Sequence, residues 1–161
     1  GSEADLLEQI ERLEVHHLSG HSGDLSFALL TDGLDATQEH CPEDDALLQV
    51  ASAAIGELNL RYGPGIAGSR FLLLHRRRQF NPSENVWMGW ERKRGKLHEL
   101  NRLLRGAEDT SFVPVPGLSQ RIPDDVRYVI TLDADTRLPR DAALRLIGKM
   151  AHPLNRPRFD Q

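Results

Sequence analysis

Arg127 to Arg137 reads RYVITLDADTR, and this stretch decides the fold. Tyr128, Val129, Ile130 and Leu132 form a short apolar run rich in β-branched residues, which reads as a buried strand. The run stops abruptly at Asp133-Ala134-Asp135. Side chains two apart on a strand point to one side, so both carboxylates converge at the strand's carboxyl end. In open α/β sheets that end is where ligands sit. Two carboxylates ~4 Å apart repel by roughly 4 kcal/mol at an effective dielectric near 20. Such a pair must be solvated, share a proton or hold a cation, and with a phosphate nearby the hard cations Mg²⁺ or Mn²⁺ suit it. The same letters also arise where Asp135 or Thr136 merely satisfies backbone groups ahead of a helix.

Working upstream, the elements alternate. Glu3–Leu18 carries Leu6, Ile10 and Leu13 at helical spacing, with acids in its first turn. Ser19–Asp24 reads as a loop, and Leu25–Thr31 as a buried strand running into Asp32-Gly33-Leu34-Asp35. Pro42–Tyr62 is a second helix, with Pro42 in its first turn and Leu47, Ala51, Ala54, Ile55 and Leu58 along one stripe. Gly63–Gly68 spells GxGxxG, but it follows a helix and opens a strand, the reverse of a dinucleotide fingerprint. Gly63 is better read as ending the helix.

Arg70–His75 is the next strand. Arg76–Trp90 is polar and holds both tryptophans, Trp87 and Trp90, which either stack on a ligand ring or pin the segment to the body. Glu91–Arg105 has Leu97, Leu100, Leu103 and Leu104 at helical spacing, behind a basic first turn containing Gly95. That glycine costs about 1 kcal/mol against alanine, which makes sense if backbone must approach a phosphate. Gly106–Val126 reads as a long loop, and Leu138–Met150, beyond the Asp133–Asp135 pair, as a last helix. Alternation of this kind implies an α/β fold with a parallel sheet and right-handed crossovers.

Composition narrows the function classes. The 161 residues suit a single domain, and a net charge of −4 argues against a nucleic-acid binder. Positive charge clusters at Arg76, Arg77 and Arg78 and again at Arg92, Lys93, Arg94 and Lys96, which suggests a small anionic ligand or a solvated surface. Cys41 is the only cysteine, so there is no disulfide framework. No apolar run reaches membrane-span length, and the piece reads as soluble. Gly1-Ser2 reads as a cloning scar on a part of something larger.

With FALLTD, RFLLLHRRRQFNPSENVWMGWERKRGKLHELNRLLRG, VRYVITLDADTRLPRDAALRLIG and MAHPLNRPRFD in view, the chain resembles the glycosyltransferase domain of cyclic β-1,2-glucan synthases. These are large bacterial inner-membrane enzymes whose transferase domain faces the cytoplasm. The resemblance implies a partial GT-A, Rossmann-like domain spanning residues 1–161, with a mostly parallel sheet flanked by helices. It implies an inverting transferase that takes UDP-glucose and a glucan acceptor, with Mg²⁺ or Mn²⁺ as cofactor.

By the same resemblance, Asp32 contacts uridine, and Lys93 and Gly95 belong to the turn that binds pyrophosphate and uracil. Asp133 and Asp135 hold the metal on the donor diphosphate, and Asp35 and Arg94 are weaker matches. The family's first strand, central in its sheet, is not found upstream of the first helix. An open strand edge would result, and with it a tendency to pair as a homodimer. The acidic catalytic base and the acceptor-binding Gln-x-x-Arg-Trp motif belong beyond Gln161, so no catalytic residue is expected within the chain. Two other readings stand beside this one. ITLDADT also looks like the first motif of haloacid-dehalogenase phosphatases, although only 26 residues follow Asp135. The acids and bases could also simply pair with each other in a non-catalytic interaction module.

Overall fold

A computed structural model describes residues 3–19, 25–65 and 68–132. The expected helix at Leu138–Met150, and Asp133 and Asp135 themselves, lie outside the described residues. Three helices, α1 (Glu3–Ser19), α2 (Pro42–Tyr62) and α3 (Arg92–Leu104), fall where the apolar spacing places them. Pro42 opens α2, and Gly63 ends it with φ 76°, its N–H bonded to Asn59 O at 2.9 Å. Among the described residues no helix is long and apolar enough to cross a membrane.

The sheet is mixed. Strands β1 (Phe27–Asp32) and β2 (Phe71–Arg76) pair in parallel from Phe27↔Phe71 to Asp32↔Arg76, with α2 as their crossover. The polar segment after β2 folds into a small antiparallel hairpin, β3 (Gln79–Asn81) and β4 (Val86–Met88). The supposed loop after α3 supplies β5 (Phe112–Val113), antiparallel to the end of β2. Period-2 side-chain alternation puts Leu29, Phe71 and Leu73 against α1 and α2, beside Ile10, Ile55 and Leu58. Leu72 and Leu74 face the other way, onto Leu100 of α3.

Among the described residues the outer edge of β2 above β5 has no strand, and two side-chain amides take its place. Asn59 donates to Phe71 O and accepts from Phe71 N–H, both at 2.9 Å. Gln120 does the same at Leu73, accepting at 3.0 Å and donating at 2.8 Å. Each amide carries the donor and acceptor that a paired strand residue would offer, so the buried backbone stays satisfied.

The expected strand at Tyr128–Leu132 is not formed. Its residues are irregular, Tyr128 and Ile130 are half-buried, and Val129 and Leu132 are exposed. A five-residue run becomes a strand only beside an edge that accepts its ladder. Among the described residues the free edge belongs to β1, the end strand of its sheet. Residues 122–132 and β1 both line a groove of roughly 890 Å³, together with α1 and α3, and no ladder bond joins them. In the α1 wall of that groove, Arg12 Nε and His16 Nδ1 are buried without a hydrogen-bond partner among the described residues.

Replacing Gln120 by Ala should destabilise the fold by about 2 kcal/mol, because the N–H and C=O of fully buried Leu73 both lose their partners. Gln120→Glu should also destabilise, since a carboxylate cannot donate to Leu73 O. Urea unfolding of the two variants measures both effects.

Candidate functional site

The site forms where β1 ends and α3 begins. Asp32 is the last residue of β1 and lies beside Arg76, the last residue of β2, in the parallel register. Arg76 has no exposed surface. Its Nε donates to Asp32 Oδ1 at 2.7 Å and its Nη2 to Asp32 Oδ2 at 3.0 Å, a bidentate pair. Nη1 donates to Glu99 Oε2 of α3 at 2.8 Å and to Trp90 O at 3.0 Å. Nη2 also donates to Arg92 O at 2.9 Å. The five N–H groups that a guanidinium carries are thereby all used. Glu99 is anchored in turn by Ser111, whose N–H donates at 2.7 Å and whose Oγ donates at 2.5 Å.

The chain is shaped to deliver those acceptors. Glu91 and Arg92 are both left-handed, with φ 46° and 49°, although neither is glycine. Conformations of this kind cost on the order of 1–3 kcal/mol each and persist only where surrounding contacts hold them. Here they sit between Trp90 O and Arg92 O, the two carbonyls that Arg76 binds. A Cβ on Gly89 would lie 2.8 Å from Arg76 Nη2 and from the Asp32 carboxyl carbon. A Cβ on Gly95 would lie 1.9 Å from Trp90 O. Gly95 is therefore buried for close packing of the turn on α3, and the carbonyl it approaches is the protein's own.

The arginine cluster divides. Arg76 and Arg78 are buried, and neither forms a solvated patch. Arg78 pairs with Asp44 of α2 and donates to Leu34 O and Glu39 O, which holds the loop between β1 and α2 beneath Gly33. Arg77 is exposed. Of the second cluster, Arg92 bridges Asp35 and Glu84, each at 2.6 Å. Lys96 reaches Asp32 Oδ2 at 3.4 Å, and Arg94 is largely exposed.

Lys93 and Lys96 both line the groove. Of the expected site residues, Asp32 lies against the turn that carries Lys93 and Gly95, joined to it through Arg76 and Lys96. Asp35 is tied to it through Arg92. Asp133 and Asp135 lie outside the described residues, and among the described residues no group of three or more His, Cys, Asp or Glu could hold a metal ion.

Glu99 and Ser111 escaped the sequence reading, and Arg76, read as part of a basic cluster suited to an anionic ligand or a solvated surface, is instead wholly buried. A glutamate within a charged helix looks like surface until its buried partners, Arg76 and Ser111, are known. The hairpin had a legible signal, since Asn81-Pro82-Ser83-Glu84-Asn85 is a turn between two short apolar-polar alternations. Trp87 pins that hairpin through paired bonds with Ala36, whereas Trp90 is 40% exposed and its ring lies beside His98.

Protonation follows from these contacts. The Arg78 hydrogen bonds hold Asp44 below the usual carboxylate range. Burial works to raise Glu99, but hydrogen bonds from Ser111 and Arg76 outweigh it and its pKa is lowered. Burial lowers His75, whose Nδ1 lies 2.8 Å from Thr31 Oγ1, and burial likewise lowers His16 and His17.

Every one of these groups has a folded pKa below its unfolded value, so each contributes stability above the unfolded pKa that is lost as pH falls. The histidine share should disappear as pH drops below 6.5, the Glu99 share below 4.5 and the Asp44 share below 3.8. Thermal melts across this range should show two successive losses, with His75→Gln reducing the first. Gly95→Ala should destabilise by at least about 2 kcal/mol through overpacking against Trp90 O, read by the same melts.

The chain is 52% identical over 150 residues to the cyclic beta-(1,2)-glucan synthase NdvB of Rhizobium meliloti (strain 1021). The match takes in 93% of this chain and spans 5% of that protein's length. No family model matches the chain. Over nearly its whole length the chain is similar to a short segment of a much larger synthase.

Proposed function

We propose that this chain is the donor-binding part of an inverting, metal-dependent glycosyltransferase that uses UDP-glucose in cyclic β-1,2-glucan synthesis. The observation that carries the reading is the junction itself. One buried arginine brings an acidic strand end, Asp32, against the basic first turn of α3, on the rim of a groove lined by Lys93 and Lys96. Similarity to a segment of a glucan synthase points the same way.

In this reading each group has a definite task. Asp32 Oδ1 accepts one bond from Arg76 and keeps a lone pair for an N–H donor on the uracil ring. Lys93 and Lys96 offset the charge of the diphosphate. Asp133 and Asp135 would hold Mg²⁺ or Mn²⁺, which when bound supplies neutralisation of the departing UDP. The acceptor hydroxyl attacks the anomeric carbon in the intact enzyme, with a general base that this chain does not carry in recognisable form. The segment by itself binds donor and does not transfer glucose. In the parent synthase it belongs to a membrane-bound enzyme, on the cytoplasmic side.

Calorimetric titration of UDP in Mn²⁺ tests this. Binding should vanish with EDTA and in Asp133→Ala plus Asp135→Ala. A folded protein that takes up no UDP under any condition contradicts the reading. Release of phosphate from a generic phosphoester would favour the phosphatase chemistry of the same ITLDADT stretch.

A further inference from the structure

Arg76 is absent from the groove wall and wholly buried, yet every hydrogen on its guanidinium is aimed at a group that shapes the site. On one side it grips both oxygens of Asp32. On the other it holds Trp90 O and Arg92 O, the carbonyls that start the basic turn carrying Lys93 and Lys96. From behind, Glu99 and Ser111 fix the guanidinium in place. With five planar donors meeting five acceptors, only one arrangement of strand end and turn satisfies the set. Gly89 and Gly95 permit the close approach that this arrangement needs, because a Cβ on either would collide with members of this same set.

We propose that Arg76 is the positioning residue of this site, locking Asp32 and the Trp90–Lys96 turn into one preformed surface. The two ends of a nucleoside diphosphate, base and phosphates, then meet groups whose spacing is set before binding. This role rests on the donor-site reading. Arg76 touches no ligand and acts through Asp32 and the turn. A lysine at the same place keeps the charge but concentrates three donors on one tetrahedral nitrogen, which cannot span the same acceptors.

The test is a double-mutant cycle on UDP affinity in Mn²⁺, with Arg76→Lys, Asp32→Asn and the pair together, each shown to be folded at the assay temperature. Groups that act through one another are non-additive, so each single variant should weaken binding about tenfold and the pair by no more than about twofold beyond the worse single. Independent losses that multiply to about a hundredfold overturn the proposal, since they mean that Arg76 does not act through Asp32.

Amide hydrogen exchange on the same variants keeps the positioning claim separate from the donor reading. In Arg76→Lys, amides of Trp90–Lys96 should exchange faster while those of α2 stay protected. Should the unmodified protein bind no UDP, the donor reading fails and exchange alone decides. Local loosening of the turn sustains Arg76 as its positioning residue. Uniform loss of protection, or none, shows a generally structural arginine.

Discussion

The buried Arg76 ion pair is the constraint on which the rest of the structure depends. A guanidinium taken wholly out of water is tolerable only if every N–H is paired and its charge is met. That requirement accounts for features that otherwise look unrelated. It explains why Asp32 closes β1, why a glutamate on α3 is buried, and why Ser111 sits where it can hold that glutamate. It also explains two consecutive left-handed residues that are not glycine, and two glycines in tight contact. Removing one partner of such a set leaves an uncompensated buried charge, which typically costs about 3–5 kcal/mol. Strand end, helix start and the β5 segment are thus tied into one unit at the point where ligand chemistry is expected.

A second buried arginine does the same for the neighbouring loop. Arg78 binds Asp44 and two loop carbonyls, so the chain leaving β1 is held back against α2. The HRRR run is therefore two inward clamps separated by an exposed Arg77, an alternation of the strand type that continues past the end of β2. Surface charge on this face comes instead from α3. There Arg92 spans Asp35 and Glu84, while Lys93 and Lys96 face the groove.

How far the sequence was legible follows from what each signal depends on. Helices α1, α2 and α3 were readable because leucine and alanine spacing is local, and the ends of α2 were marked by Pro42 and Gly63. Strands β1 and β2 were readable as apolar runs between turn signals, and their parallel pairing followed from the intervening helix. Phe112–Val113 was not readable, because two residues carry no periodicity. Neither was the use of Asn59 and Gln120 as substitute strand partners, since amide pairing with a distant backbone leaves no local trace.

The Tyr128–Leu132 run misled for the opposite reason. Its β-branched composition is real, but a strand needs an edge to join, and composition says nothing about where that edge lies. Asp32, Lys93 and Gly95 were singled out through the resemblance, and the structure sets Asp32 against the turn that carries the other two, whereas the arginine that joins them read only as one member of a basic cluster.

The most direct measurement of this account is side-chain nitrogen NMR of the Arg76 guanidinium. Five hydrogen bonds to fixed acceptors require hindered rotation about the Cζ–N bonds, separate signals for the individual Nη hydrogens, and slow exchange with water. Those observations would establish the clamp between β1 and α3. A single averaged, rapidly exchanging signal would contradict it, and the preformed junction at Asp32 would fall with it.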